Sequence, residues 1–459
     1  MKRAKKTAQP PVRSEAAEVD SLTVLNPNAA GMDIDSESVW VSVPENRDAQ
    51  PVRQFKMFTP DLIEMANWLK ACGIETIAME STGVYWIPPY EILEERGFKV
   101  YLVNARYAKH LPGRKKDETD AQWLRRLHTF GMLSNSFRPT GEICAMRAYR
   151  RHRATLIEHR AAHIQHMQKA LRQMNVLLSP IVKDITGVTG MAIIRAILAG
   201  ERDPVKLAQL RDPRCAKPGD EFVKALTGNY REEHVFALKQ AVALYDAYTE
   251  QIRECDLEIE RKFSTLKPIH HDSLPPLDTT DKRNTHSKNA PSYDARGLLY
   301  QLLGVDLVAI TGLNASTVED ILFEIGTDMS CWPSDKQLCS WLHLAPHTDI
   351  SGGKVLRSHT LPGHNRAGQA FRMAAQAVSH TQTALGAYFR RMRAKHGPQK
   401  AIVATAHKIA RIFYAVLKHR QPFRDMSAEE YDQRERQREL ARLQKKAAQL
   451  GFTLVQAAA

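Results

Sequence analysis

The chain has 459 residues, a hydrophobic fraction of 43% and a formal net charge of +14. No two of its six cysteines form a Cys-x-x-Cys motif, so neither a disulfide framework nor a zinc finger is indicated. There is no run of 18 apolar residues and no apolar stretch near the N terminus, so we expect a globular cytoplasmic protein without a membrane partner.

The excess positive charge lies in one C-terminal segment. Residues 350–424 contain fourteen Lys and Arg and no Asp or Glu. The rest of the chain is therefore balanced, with 51 residues of each sign. Charge concentrated in this way indicates a polyanion-binding surface rather than general solubility.

The N-terminal third alternates between strand-like and helical patterns. Residues 1–22 are rich in Lys, Pro and Ala and are predicted to be a disordered tail. Strand-like runs then lie at 39–43, 74–79 and 100–103, and helical patterns at 60–72 and 89–95. Thr59 is the predicted N-cap of the first helix. The alternation predicts an α/β domain at residues 23–140.

Residues 142–178 have the pattern of a long helix. Apolar residues recur every seven positions at Ile157, Ile164, Leu171 and Leu178, with Met167 and Met174 between them. A second helical run at 232–263 is predicted to pair back antiparallel. Together they predict a coiled-coil-like arm at 141–264, with six cations on its outer face: Arg147, Arg150, Arg151, Arg153, Lys169 and Arg172.

Residues 265–296 are rich in Pro, Ser, Thr and Asn and are predicted to be a linker. A mainly helical domain is expected at 297–425 and a helical tail at 426–459. Two Ile-Thr-Gly triplets, at 185–187 and 310–312, each precede a helical pattern. A phosphate-binding helix-hairpin-helix and a plain packing turn both remain open for them. The predicted fold class is multidomain, α/β followed by α.

Four acidic residues near the strand-like runs are candidate metal ligands. Asp33 lies in GMDID at 31–35, Glu80 in MESTGVYW at 79–86, and Asp117 and Asp120 in KKDETDA at 115–121. Carboxylates suit Mg²⁺ or Mn²⁺, and two such ions can stabilise the attacking and leaving oxygens of a phosphoryl transfer. Taken singly, each acid can also be explained as a turn residue, a helix cap or a solvent-exposed residue at the start of a helix.

The acid-free segment opens with SGGK at 351–354. A hydroxyl on a Gly-flanked turn can approach a phosphodiester closely, and Lys354, Arg357 and His359 are local candidates to stabilise the transition state. A merely flexible turn is the alternative for Ser351, and Ser358 is a competing nucleophile. Further cations are expected to contact the nucleic-acid backbone: Arg366, Arg372, Arg390, Arg391, Arg393, Lys395, Lys408 and Arg411.

In order along the chain, these motifs resemble the insertion-sequence 110 family of transposases, and its 1111 subgroup in particular. The matching segments are GMD at 31–33, MESTGVYW at 79–86, VNAR at 103–106, GRKKDETDAQW at 113–123 and SGGK at 351–354. The resemblance implies an RNase H-like (RuvC-like) N-terminal domain with a DEDD tetrad. By motif, the tetrad falls on Asp33, Glu80, Asp117 and Asp120, and the nucleophile of the C-terminal transposase domain on Ser351.

The resemblance also implies a function. It implies a transposase or recombinase that cuts and rejoins donor and target DNA, with Mg²⁺ or Mn²⁺ as cofactor and a guide RNA encoded by its own element. A homo-oligomer, dimer or tetramer, in the bacterial nucleoid is expected. The chain departs from the family at Lys116, where Thr is usual, and at residues 312–314, where Gly-Leu-Asn replaces Gly-Ile-Gly.

Two other classes of function remain open. One is a metal-dependent nuclease of the Holliday-junction-resolvase type, which would use water instead of serine. The other is a nucleic-acid-binding scaffold without catalysis.

Overall fold

The computed structural model describes residues 23–81, 83–104, 119–270, 273–277, 288–361, 363, 365–453 and 455. The predicted tail at 1–22 and part of the predicted linker therefore lie outside the described residues. The chain divides into two compact units, an N-terminal unit, Met1–Arg138, and a C-terminal unit, Pro139–Ala459. Of the helices described, none is both long and apolar enough to cross a membrane.

Within its described residues, the N-terminal unit forms a mixed five-stranded sheet of order β3-β2-β1-β4-β5. The strands are β1 Ala29–Ile34, β2 Ser38–Ser42, β3 Val52–Lys56, β4 Thr76–Glu80 and β5 Lys99–Val103. Its helices are α1 Thr59–Ala71, α2 Ile87–Glu95 and α3 Asp120–Thr129. The ladders β1–β4 and β4–β5 are parallel, whereas β1–β2 and β2–β3 are antiparallel.

Helix α1 packs one apolar face into the core of this sheet. Leu62, Met65 and Leu69 are almost completely buried there, as the helical spacing predicts. The N-cap is Phe58, so the prediction of Thr59 was wrong by one residue. Pro60 explains the start, because proline is favoured in the first helical turn, where its missing N–H has no intrahelical partner.

The C-terminal unit is mainly helical. Its helices are α4 Gly141–Gln173, α5 Leu178–Ile181, α6 Val188–Leu198, α7 Pro204–Gln209, α8 Gly219–Leu226, α9 Glu232–Phe263, α10 Ala295–Leu303, α11 Ala315–Ile325, α12 Asp335–Trp341, α13 Arg366–Ala377, α14 Ala384–His396, α15 Pro398–His419 and α16 Ala428–Gln449. Short 3₁₀ turns lie at Met329–Cys331 and Val378–His380. A hairpin of β6 Pro346–Ser351 and β7 Lys354–Thr360 interrupts the helices.

Helices α4 and α9 pair antiparallel, as predicted. Tyr149 near the start of α4 donates to Glu258 near the end of α9, while the ring of His159 further along meets Tyr248. Met167 and Leu171 are buried, but Ile157 is only half-buried. Leu178 lies beyond the end of α4, because the helix stops at Gln173 and Asn175 takes a left-handed φ of 55°.

Two cations predicted on the outer face of the arm, Arg150 and Arg153, are instead buried. The Arg153 guanidinium donates to both Asp256 oxygens, at 2.5 and 3.2 Å, and to the carbonyl oxygens of Asn289 and Ala290. Asp256 also accepts from the backbone N–H of Ser292 at 3.1 Å. The last part of the predicted linker is therefore bound to the arm.

Arg150 joins α4 to α11. It donates to Asp320 at 2.7 Å and to the Ser316 hydroxyl at 2.9 Å, and lies 3.2 Å from Glu319. The Tyr293 hydroxyl donates to the other Glu319 oxygen at 2.7 Å. Burial raises the pKa of Glu319 to about 7, although the Arg150 charge opposes this shift. Long-range ionic contacts thus hold the base of the arm.

These contacts predict a large effect of Arg153 on stability. Arg153→Met should lower the free energy of unfolding by about 3–5 kcal/mol, because Asp256 is left buried without its counter-charge. Urea denaturation followed by circular dichroism measures this change. The matched control is Arg195→Met, which removes an exposed ion pair with Asp246 and should cost about 1 kcal/mol or less.

The double variant Arg153→Met with Asp256→Leu should recover much of the loss, because neither charge is then left without its partner. Equal effects of Arg153→Met and Arg195→Met would contradict the assigned role.

Candidate functional site

Asp33 and Glu80 lie side by side at the carboxyl edge of the parallel ladder. Met32 of β1 pairs with Met79 of β4, so the two acids that follow occupy neighbouring positions on strands about 4.8 Å apart. Neighbouring positions of a ladder point to the same face of the sheet. Glu80 is buried and Asp33 is half-buried.

Helix α3 lies directly against this face at Gly31. A Cβ on Gly31 would be 2.2 Å from the carbonyl oxygen of Ala121 and 2.3 Å from the backbone nitrogen of Arg125. Only a glycine allows the helix backbone to approach the strand this closely. Gly31 and Asp33 are two residues apart, so both face the helix.

The direction of α3 brings a third acid to the same edge. The C-terminal end of α3 lies near the entry to β1, because the backbone N–H groups of Leu25 and Asn26 both donate to the Thr129 carbonyl. The helix therefore runs antiparallel to β1, and its N terminus, with Asp120 as first residue, lies toward Asp33. A capping box between Thr119 and Gln122 fixes that terminus.

The structure thus brings Asp33, Glu80 and Asp120 to one edge of the sheet, whereas Asp117 lies outside the described residues. Within the described residues, no three His, Cys, Asp or Glu side chains form a group that could hold a metal ion. The donor set is entirely carboxylate, which is the chemistry that Mg²⁺ and Mn²⁺ prefer.

Ser351 ends strand β6 at the tip of the exposed hairpin, where it pairs with Lys354. The two residues between the strands, Gly352 and Gly353, have φ of 55° and 77°. A two-residue turn with both φ positive is typical of the type I′ hairpin, which glycine adopts without strain. A Cβ at either glycine would meet nothing within 4 Å, so the space beside Ser351 is open.

Strand alternation separates the two candidate serines. Ser351 shares its face of β6 with Asp349, which forms an ion pair with Arg357 across the hairpin. The register shifts between Asp349 and Ile350, where the pairing passes over Leu356 of β7. The hydrogen bond from Arg357 holds the pKa of Asp349 below its usual range. Ser358 pairs with Thr348 on the opposite face, where the two hydroxyl oxygens are 3.2 Å apart.

His347 and His359 extend the charged face away from the turn. They are cross-strand partners with ring centroids 6.1 Å apart, and His347 Nε2 lies 3.3 Å from an Asp349 oxygen. Ser351 therefore lies on a face with cationic or ionisable groups, while Ser358 lies on the face with Thr348 and Ile350.

Several predicted backbone-contacting cations have partners within the chain. Acids outside the acid-free segment supply three ion pairs: Arg357–Asp349, Arg391–Glu435 and Arg411–Asp335. Carbonyl oxygens accept from two others, Arg372 at 2.9 Å and Arg390 at 2.8 Å.

Lys408 lies over the rings of Tyr388 and Tyr431, 4.2 and 4.9 Å from their centroids, and burial lowers its pKa. In the part of the chain that the structure describes, the remaining predicted cations are exposed and show no hydrogen bond or ion pair: Lys354, Arg366, Arg393 and Lys395.

Two family models match the chain. Residues 30–176, which contain all four tetrad positions, match a model of DEDD transposases of the IS110 type. Residues 306–390, which contain Ser351, match the model described as Transposase IS116/IS110/IS902 family. Together these ranges span about half of the chain. No curated protein matches it significantly.

The chain thus has an α/β unit with acids at a sheet edge, followed by a helical unit with a hairpin that carries a serine. The family models that match it describe transposases, enzymes that cut and rejoin DNA. The chain belongs to the IS110 family of these transposases. Its substrate is DNA, and DEDD transposases in general depend on a divalent metal ion.

The contact at Gly31 leads to a prediction. Gly31→Ala should lower the free energy of unfolding by about 1–3 kcal/mol, because α3 must move away from β1. It should also reduce DNA joining, since the same movement displaces Asp120 from Asp33. Thermal unfolding and a strand-joining assay measure the two effects. Gly141→Ala is the control, because its added Cβ meets nothing within 4 Å. Equal behaviour of the two variants would refute the role of the close contact.

Proposed function

We propose that this transposase moves an insertion sequence by using Ser351 as the nucleophile on DNA, assisted by a metal-binding acidic tetrad. The observation that supports this most directly is the position of Ser351. It is exposed beside an open Gly-Gly turn and shares its strand face with Asp349 and its partner Arg357. Ser358, on the other face, has a hydroxyl partner in Thr348.

The N-terminal unit is proposed to be RNase H-like (RuvC-like). The strand order β3-β2-β1-β4-β5, with acids at the carboxyl edge of its central parallel pair, supports this assignment. Asp33, Glu80 and Asp120, with Asp117 outside the described residues, would hold Mg²⁺ or Mn²⁺. A bound ion of this kind polarises the phosphoryl oxygens and stabilises the attacking and leaving oxygens. Asp120 is the first residue of α3, so its side chain lies at the helix N terminus.

The proposed chemistry is a transesterification. Ser351 Oγ loses its proton and bonds to the phosphorus, the bond to the 3′ oxygen breaks, and that oxygen takes up a proton. The products are a phosphoserine joined to the 5′ end of one DNA strand and a free 3′ hydroxyl. Attack of a 3′ hydroxyl on the phosphoserine reverses these steps and rejoins strands. Lys354, the cross-strand partner of Ser351, and Arg357, the partner of Asp349, would stabilise charge on the phosphorane.

The partners proposed are donor DNA, target DNA and a guide RNA encoded by the element. The exposed cations Lys354, Arg366 and Arg393 would contact phosphates, which fixes position without reading sequence. Sequence would be read by pairing with the guide, while the protein reads shape and backbone. The arm at 141–264 is proposed to be coiled-coil-like, and the active species to be a dimer or tetramer.

The nucleophile is tested by trapping the covalent intermediate. Ser351→Ala should lower formation of the protein–DNA adduct by at least about 10³-fold, because an alanine has no attacking oxygen. Ser358→Ala is the matched control and should form the adduct at the wild-type level. A denaturing gel of labelled DNA ends measures the adduct. An adduct that persists in Ser351→Ala would exclude this serine, and hydrolysed ends without any wild-type adduct would favour the nuclease that uses water.

The acidic site is tested in the joining reaction. Asp33→Asn and Asp120→Asn should each reduce joining by roughly 10²-fold or more, because metal binding at the phosphate is worth several kcal/mol. DNA binding, measured by fluorescence anisotropy, should persist. Asp35→Asn is the control, because Asp35 is exposed and its carboxylate accepts from Ser36, the residue next to it. Chelation should abolish joining and added Mg²⁺ or Mn²⁺ should restore it.

The same assay is run with the element RNA added or withheld. The proposal requires joining only when the RNA is present. Joining at an equal rate without RNA would remove the guide from the proposal, and full activity of Asp33→Asn would remove the metal site.

A further inference from the structure

A cluster of four rings lies about halfway along the paired helices α4 and α9. The rings of His163 and Tyr248 are stacked, with centroids 5.4 Å apart and an angle of 20° between their planes. His159 meets the same tyrosine edge-on at 5.6 Å, and His166 meets His163 at 5.5 Å. His159, His163 and His166 are spaced by four and three residues, so they lie on one side of α4.

The cluster borders an open groove of about 320 Å³ between the two helices. Three alanines and Leu244 are among its lining residues, which are His163, His166, Lys169, Ala170 and Gln173 on α4 and Ala237, Gln240, Ala241 and Leu244 on α9. Leu244 is 45% exposed, so the groove is open to solvent. Flat rings next to a shallow apolar groove suit a planar ligand that stacks on an open ring face.

Partial burial and then the charges of His166 and His159 lower the pKa of His163 below its usual range. The lowered pKa favours the uncharged ring, which stacks on Tyr248.

The electrostatic surroundings of the groove are cationic. Lys169 and Arg172 on α4 are exposed. Of the acids on α9, Asp246 pairs with Arg195, Glu250 with Arg253 and Glu233, one turn before Ala237, with Arg231. Further toward the base, Arg160 donates to the Thr249 hydroxyl and the Asn289 side chain, and in the described part of the chain it forms no ion pair. Positive charge thus remains beside the rings, which favours an anionic ligand.

We infer that the ring cluster and its groove bind a single-stranded stretch of nucleic acid. Its bases stack on the His163, His166 and Tyr248 rings, and its phosphates lie toward Lys169 and Arg172. Stacking on aromatic side chains requires bases with free faces, which single strands present and a paired duplex does not. The inference rests on the proposed function, in which both a guide RNA and an unpaired DNA strand have this chemistry. Either one can occupy the groove.

The test compares single strands with a duplex. Fluorescence anisotropy is measured with labelled single-stranded RNA, single-stranded DNA of the same sequence, and duplex DNA, with the full-length protein. The double variant His163→Ala with Tyr248→Leu should bind at least one kind of single strand about fivefold or more weakly, which corresponds to the loss of one stacked base. Affinity for the duplex should change by less than about twofold, because duplex binding depends on backbone contacts.

Two further variants serve as controls for this effect. Tyr248→Phe keeps the ring and should retain single-strand affinity, whereas Tyr248→Leu alone should lose it. His152→Ala removes an exposed histidine of α4 outside the cluster and should have no effect. A decrease confined to RNA or to DNA supports the inference and identifies the occupant.

Unchanged affinity for both single strands would overturn the inference and leave the groove to a protein partner. An equal loss on single strands and duplex would also overturn it. The outcome is independent of the serine chemistry. A wild-type protein that forms no DNA adduct refutes the proposed nucleophile but leaves the comparison of single strand with duplex intact. Unchanged binding by the ring variants refutes the groove but leaves the adduct.

Discussion

The burial of two arginines near the start of α4 is the constraint on which the rest of the C-terminal unit depends. A guanidinium remains charged in a protein interior, so Arg150 and Arg153 need partners that offset the cost of leaving water. Those partners come from α9, from α11 and from the carbonyl groups of residues 289 and 290. Segments that are more than 100 residues apart are thereby held in one arrangement. Such a network contributes specificity of arrangement more than net stability, because desolvation offsets most of the attraction.

Apolar contacts hold the N-terminal unit together, and the lack of a side chain at Gly31 allows one helix to pack closely on the sheet. Gly31 lets the backbone of α3 touch β1, and the antiparallel direction of α3 then brings Asp120 to the edge that holds Asp33 and Glu80. Carboxylates at one edge of a sheet suit a divalent cation, on which DEDD transposases in general depend. Packing explains where these three residues lie, but it does not require that they be acidic. Their carboxylates are therefore better explained by function than by packing.

Features that depend on neighbouring residues could be predicted from the sequence, whereas features that depend on distant residues could not. Helices with regular apolar spacing, such as α1 and α9, were predicted nearly to their ends. Strand β1 was missed because AAGMDI is a short central strand buried on both faces, which shows no alternation, and β6 and β7 were missed because both are exposed.

Arg150 and Arg153 were placed on the surface because helical spacing identifies a face but cannot reveal acids more than 100 residues away. A glycine within a strand, as at Gly31, is the sequence feature that indicates a close backbone contact.

The acid-free segment shows that charge along a sequence differs from charge in space. Residues 350–424 contain no acid, yet Asp335, Asp349 and Glu435 from its flanks pair with three of its arginines. Paired arginines remain able to bind phosphate, but only by exchanging one anionic partner for another, which weakens the net gain. The exposed cations without such partners in the described residues, among them Lys354 beside Ser351, can neutralise a phosphate without that exchange. Attraction for DNA is therefore expected mainly around the exposed cations that have no acidic partner in the described residues, rather than evenly over the segment.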